Sequence, residues 1–544
     1  MSNSLFRKKS LTSILHEAKA GDGDAHMSGL KKVLTVRDLT LMGVAAVIGA
    51  GIFSTIGQAA FNGGPAVIFL FLLTAVTCGF TALCYAEFAS RVPVAGSAYT
   101  YSYVTFGEMA AWIIGWALIL EYSIGNIVVA ISWSSYFNNV LEGMGIHLPA
   151  YLTTDYNTAK AAAGDAWNTA PFIGSWRVIL NIPAFIIVVL VTILAYVGIH
   201  ESKKSANFMV GLKIVILLVV IAIGMFHINT DNWQPFMPNG FNGVLMGVSA
   251  VFFAYIGFDA ISTTAEESAN PQRDMPRAMI YSLIICTIIY VVVTLVITGM
   301  VHYSEFQHVS DPLAYVFDKL NMKTIGYVIS ISAVIAATSV ILVFQIGQPR
   351  IWMSMSRDGL LPKKFAKVHP KYHTPGFSTI VTGVIVAIPS LFVESGIVTD
   401  LTSIGTLFAF VLVCGGVLML PKVPKGEKKF NLPYINGLFI VPVIFAVFTW
   451  FFRDRIAESF SGIAAMDHDH VLYVIFYILA TIITLLTIVK RLSLIPVLGM
   501  LCCLYLMIEI PVRSWVVFFG WMAVGLAIYF LYGYWKSKLA DKKA

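Results

Sequence analysis

Apolar residues run along this chain in long stretches separated by short polar segments. Fourteen such stretches occur, at 40–61, 66–89, 109–138, 179–198, 206–227, 241–264, 277–300, 322–349, 377–394, 400–420, 436–452, 470–489, 492–510 and 513–534. One bilayer crossing takes about 20 apolar residues. The pattern therefore predicts an all-α polytopic membrane protein with about 14 transmembrane helices. Polar sequence gathers mainly in the N-terminal tail and in the segments 141–178 and 350–376, so no separate soluble module is expected.

Two of these stretches, spans 1 and 6, share an interrupted pattern. Gly43-Val44-Ala45-Ala46-Val47 runs into Gly49-Ala50-Gly51, and Gly247-Val248-Ser249-Ala250-Val251 runs on to Gly257. Backbone at mid-membrane finds no water, so an unwound stretch is tolerable only where it lines a cavity or a ligand. The two copies lie five crossings apart, which makes them antiparallel. The pattern predicts a five-plus-five inverted repeat of spans 1–5 and 6–10 with discontinuous helices 1 and 6, the arrangement of a secondary transporter. The chain divides into a cytoplasmic N-terminal segment (1–38), a ten-helix core (39–420), a cytoplasmic linker (421–435), four additional helices (436–535) and a cytoplasmic tail (536–544).

Composition agrees: 58% of the 544 residues are hydrophobic, 12% are charged, and the mean hydropathy is +0.80. With the N-terminus inside, 28 Lys and Arg fall on the cytoplasmic side and 7 on the outer side. That excess follows the positive-inside rule and places both termini in the cytoplasm, in a plasma (inner) membrane protein bathed in lipid. The net charge of +7 is thus a topology signal, and its spread over many short loops argues against nucleic acid as a partner. The tail before Arg37 lacks a secretory signal and is expected to lie as a partly amphipathic helix on the inner leaflet. All six cysteines fall in spans, so no disulfide is expected.

A broken helix bares amides on one side and carbonyls on the other. The amides suit a carboxylate and the carbonyls suit an ammonium group, so two opposed breaks have the polarity of a free α-amino acid. Glycines that merely let helices pack closely are the alternative. Lys213 sits about 10 Å into span 5 at 1.5 Å per residue. An ionisable side chain at that depth marks a proton or ion path, or else is permanently paired with an acid. Glu121 in span 3 either gates, relays protons or contacts a cationic substrate, or it is a protonated acid bonded to a neighbouring helix. Asp259 follows the second break and ties its half-helix to span 1 or 8. Thr338 and Ser339 in span 8 either bond back to their own helix or face Lys213. Glu266 and Glu267 would form an inner gate with Arg350 or Arg357, or lie in a solvated loop. The cluster at Asp467-His468-Asp469-His470 lacks metal-ligand spacing, and no metal or cofactor is expected. There is no Walker A, HExxH or nucleophile-elbow sequence, so an enzyme is not expected.

The stretch Gly43–Phe53, the run Phe253-Ala-Tyr-Ile-Gly-Phe-Asp259 with its Glu266-Glu267-x-x-Asn-Pro271 sequel, and Gly347-Gln-Pro-Arg350 through Pro362 resemble the APC superfamily. Within it the sequence is most similar to the cationic amino acid transporter family. The resemblance implies alternating access and import of an L-amino acid with a proton as the coupling ion. Carbonyls near Val47 and Ile48 and those of Phe253, Ala254 and Ile256 would hold the ammonium. Amides around Ala50 and Gly51 would hold the carboxylate, Phe253 would also cover the site from outside, and Gly49 and Phe252 would support it. Lys213 matches the lysine that replaces a sodium ion in relatives. Ala50 departs from relatives with a hydroxyl there. Neutral or broad specificity is favoured over cationic. A non-transporting sensor on the same fold, or a membrane enzyme acting on a lipid-linked substrate, are the competing readings.

Overall fold

The computed structural model describes residues 7–9, 34–49, 51–91, 97–198, 203–259, 261–262, 268–307, 309, 311–420, 430–462 and 468–541. The expected amphipathic helix before Arg37, the pair Glu266 and Glu267, Ala50 and Asp467 lie outside the described residues. Among the described residues the architecture is all-α apart from a two-stranded hairpin, Phe172–Ile173 against Trp176–Arg177. Span 1 is divided into α1 (Val36–Val47) and α2 (Ile56–Gly63), and α3 (Val67–Arg91) is span 2. Next come a connecting helix α4 (Ser97–Thr105) and spans 3–5, namely α5 (Glu108–Gly143), α6 (Ile182–Val197) and α7 (Lys203–Gly224). Span 6 is divided into α8 (Gly240–Leu245) and α9 (Val248–Phe253). Spans 7–10 are α10 (Pro271–Met300), α11 (Lys323–Arg357), α12 (Gly376–Ser390) and α13 (Ser395–Met419). Spans 11–14 are α14 (Ile440–Phe451), α15 (His468–Lys490), α16 (Leu494–Ile508) and α17 (Val512–Ile528).

Local chemistry explains where these helices begin. Thr35 caps α1 in a reciprocal box, its hydroxyl accepting from the Asp38 N–H while the Asp38 carboxylate accepts from the Thr35 N–H. Asn181 caps α6 at the Ala184 N–H, with a proline in the first turn, and Pro271 opens α10. Apolar periodicity says little here. Helices in lipid are apolar on every face, and association depends on packing and polar contacts. Lipid-facing stripes remain visible as exposed large side chains at four-residue spacing, such as Ile186 and Leu190 on α6 and Ile380, Val384 and Ile388 on α12. Facing inward, α5 packs along α11 and α13, and α10 along α1 and α3.

The outer four helices attach unequally. α16 packs on α13. α17 is tied to α5 by indole hydrogen bonds, from Trp112 to the Gly525 carbonyl (2.9 Å) and from Trp116 to the Trp521 carbonyl (2.8 Å). Chain ends meet at one end of the bundle. There Glu108, fully buried, accepts from the hydroxyls of Tyr103 (3.1 Å), Tyr529 (3.0 Å) and Ser537, while its N–H donates to the Arg7 carbonyl. Beside it Asp358 accepts from Lys9 (2.6 Å) and Tyr99 (2.7 Å). Replacing Glu108 by Ala strands three buried hydroxyls. The expected cost is about 3 kcal/mol, read as a fall of several degrees in Tm of the purified protein, and an unchanged Tm would contradict it.

Candidate functional site

α1 ends because its backbone turns too tightly to continue. Ile48, at φ −73° and ψ 74°, forms an inverse γ-turn in which the Gly49 N–H donates to the Val47 carbonyl at 2.7 Å. The chain resumes as a π-helical turn, Gly51–Thr55, before α2; π-turns of this kind collect at functional sites. α9 ends at Phe253 in successive short turns, Tyr255 N–H to the Phe252 carbonyl (2.9 Å) and Ile256 N–H to the Phe253 carbonyl (3.2 Å). Gly257 then takes φ +116°, where only glycine is at ease, and a Cβ there would lie 2.8 Å from the Ala46 carbonyl oxygen.

The two breaks face each other. Gly43 packs on Ile261, Gly57's half-helix runs beside α8 and α9, Thr55 donates to the Ala250 carbonyl at 2.8 Å, and Gly63 meets Val244. Residue numbers fall along one strand of backbone as they rise along the other, so the two copies of the Gly-Val-x-Ala-Val motif run antiparallel. Gly51 is the point of closest approach: a Cβ on it would collide with the Ala254 Cα and sit 2.8 Å from the Ala254 Cβ.

At the C-terminal end of α1 the last four carbonyls would ordinarily lack partners. Val44 accepts from the Ile48 N–H, and Ala45 accepts from Lys213 Nζ at 3.2 Å. Ala46 lies against Gly257, and Val47 accepts from Gly49 and also from the Tyr290 hydroxyl at 2.8 Å. Lys213 is only 2% exposed, so it points inward from α7 onto this half-helix end, where the helix dipole favours a cation. The Tyr290 hydroxyl also reaches the Ala254 carbonyl (3.0 Å), bridging both breaks from α10. Of the carbonyls expected from the resemblance to hold the ammonium, those of Val47, Phe253 and Ala254 already have one internal donor or more. A carbonyl oxygen has two lone pairs, so Phe253 and Ala254 each keep one.

The remaining candidates sit around this centre. Gly49 packs against Val340 of α11 (3.3 Å from its notional Cβ), one residue from Ser339. Ser339 and Thr338 bond to carbonyls of their own helix, those of Ala336 and Val334, and Thr338 also accepts from Trp133. Glu121 is buried beside Gly405 and Thr406 of α13, and its Oε2 has no hydrogen-bond partner among the described residues. Asp259, also buried, lies within electrostatic reach of Glu121, Tyr85 and Tyr101, on the α3, α4 and α5 side. Phe252 packs edge-on against Phe410 of α13, and Phe253 and Ile256 are buried. Beyond the π-turn, at the end away from Glu108, a cavity of about 210 Å³ is lined by Ser54, Thr55, Gln58, Asn62, Glu394 and Thr399.

Sequence reasoning missed Tyr290, Thr55 and Tyr136, whose hydroxyl donates to the Phe53 carbonyl just after the first break. The signal was present in each case, since a hydroxyl in an apolar span must find an acceptor. Which acceptor depends on the packing of distant helices.

Facing discontinuous helices in an all-α membrane bundle define a secondary transporter core. Residues 34–480 match the amino acid permease family model, and residues 492–537 match a model of the C-terminus of such permeases. The chain belongs to the amino acid permease family of the APC superfamily. It is 43% identical to the branched-chain amino acid permease BcaP of Bacillus subtilis (strain 168) over 82% of this chain and 93% of that one. It is 37% identical to the methylthioribose transporter of the same organism over 97% and 98%. A vacuolar cationic amino acid transporter 4 of Arabidopsis thaliana is 35% identical over 78% of this chain and 68% of its own length. These relatives are permeases and transporters, not enzymes.

Gly51→Ala forces a methyl into the Ala254 backbone, whereas a Cβ on Gly79 meets nothing within 4 Å. Gly51→Ala is expected to weaken substrate binding at least about tenfold (1.4 kcal/mol) in a scintillation-proximity or calorimetric titration, and Gly79→Ala to bind as the parent does. Equal binding by both variants would remove Gly51 from the site.

Proposed function

We propose that this protein imports neutral, branched-chain L-amino acids together with a proton by alternating access, in a plasma membrane with both chain termini cytoplasmic. The observation that carries the reading is the antiparallel pairing of the two breaks, which sets an N-terminal helix end opposite a C-terminal one. The amides from Gly51 onward would hold the substrate carboxylate, with Ala50 alongside. The carbonyls of Ile48, Phe253, Ala254 and Ile256 would take the ammonium, with Val47 engaged by Tyr290 instead. Around them Val340, Phe252 and Ile52 are aliphatic or aromatic, which suits an apolar side chain. The excess of Lys and Arg on the terminal side supports the orientation.

Lys213 would carry the coupling. A protonated amine on the Ala45 carbonyl draws the α1 end toward α7 by charge and dipole. Losing the proton keeps a hydrogen bond but removes the charge, so the half-helix is freed to move. Proton and substrate would thus act on the same short segment from its two sides. Glu121 and Asp259 would serve as gating or relay groups on the far side.

A second reading rests on the 37% identity to a methylthioribose transporter over nearly the whole of both chains. An uncharged thiosugar has neither carboxylate nor ammonium to satisfy the two helix ends, which favours the amino acid. One assay separates the readings. Proteoliposomes carrying the purified protein are given labelled leucine with and without an inward proton gradient, against competing isoleucine, valine, arginine and methylthioribose. Isoleucine and valine are expected to compete, the gradient to drive accumulation, and Lys213→Ala to abolish gradient-driven accumulation by tenfold or more. Competition by methylthioribose alone would install the second reading, and full pH dependence in Lys213→Ala would remove the lysine from coupling.

A further inference from the structure

At the end of the bundle where the chain termini meet, α6, α11 and α12 enclose a cavity of about 280 Å³. Its lining includes Arg350, Arg357, His373 and the buried Gln345, and contains no carboxylate. Arg350 and Arg357 are seven residues apart, on one face of α11 and about 10 Å apart along its axis, a span that two arginine side chains can close onto one group. Both are exposed, and among the described residues neither makes an ion pair. The sidewall hydroxyls are already committed: Thr374 donates to the Tyr196 carbonyl and Thr379 to the Pro375 carbonyl. The guanidinium groups are therefore the forked cationic donors this cavity offers, with the His373 ring beside them.

We infer that this cavity binds a phosphate group, held by Arg350 and Arg357 as a fork-on-oxygen pair. Guanidinium geometry matches phosphate oxygens in a way that no neutral ligand exploits. The surroundings favour a phospholipid as the source of that phosphate. Val368 is exposed in the cavity lining, and Phe377, Ile380, Val384 and Ile388 form an exposed apolar stripe along α12, whose Thr379 also lines the cavity, that would receive an acyl chain. Basic pockets between membrane helices are suited to anionic headgroups. No residue of the two helix breaks lines this cavity, so the inference does not rest on the transport reading.

The test uses the full chain purified into phosphatidylcholine nanodiscs. Phosphatidylglycerol is titrated in one arm and inorganic phosphate in the other, with retained lipid counted by native mass spectrometry and Tm followed in parallel. Wild-type protein is expected to retain phosphatidylglycerol and gain Tm, and R350Q/R357Q to bind it at least about tenfold more weakly. R350K/R357K keeps the charge but loses the fork, and should fall between the two. A response to inorganic phosphate as well would support the phosphate site while making its source a soluble anion. No response of the wild-type protein in either arm, or equal retention by wild type and R350Q/R357Q, would overturn the inference. The wild-type titration stands even if a variant fails to fold.

Discussion

Four carbonyl groups at the end of α1 set the terms for the rest of the structure. They lie in the buried interior, where an unpartnered carbonyl costs several kcal/mol. The partners that three of them find come from widely separated parts of the chain, namely the local turn at Ile48 and Gly49, Lys213 of α7 and Tyr290 of α10, while the Ala46 carbonyl lies against Gly257 beyond α9. Each partner fixes the position of an element relative to the first break. The break is consequently a defined structure that several helices hold in place.

The same arrangement places local chemistry where the proposed movement would begin. Ala45 accepts from Lys213 two residues before the helix stops, and Tyr290 spans from one break to the other. In the proposed cycle, a change of charge on the lysine or a ligand on the open lone pairs would act on a segment already at the limit of its helical hydrogen bonding. Close backbone contact at Gly51 and Ala254 would then pass displacement of one half-helix to its counterpart. The opposite strategy holds at the bundle end, where Glu108 and Asp358 bind residues from both chain ends into a many-partnered cluster.

Much of this was legible in the residues. Apolar runs of one bilayer thickness marked the helices, although their ends moved by several residues: α11 continues to Arg357, past Pro349 and Arg350, where the apolar run had stopped. The reason is that a helix need not end where hydrocarbon does. The connecting helix α4 and the short helix Arg453–Gly462 were not foreseen, being too polar to register as spans. Thr338 and Ser339 had two readings. Both now bond to their own helix, the choice that needs no neighbour.

Sequence alone determined that spans 1 and 6 repeat each other in opposite directions, because glycine placement and the count of crossings are properties of one chain read along its length. It also placed Lys213 about 10 Å into span 5, because depth follows from position at 1.5 Å per residue. Tertiary structure decided what those features meet: that Gly51 touches Ala254, that Lys213 finds Ala45, and that Tyr290 closes both breaks. Those pairings join residues 36 to 243 positions apart, and at that separation only the packed bundle can specify which donor satisfies which acceptor.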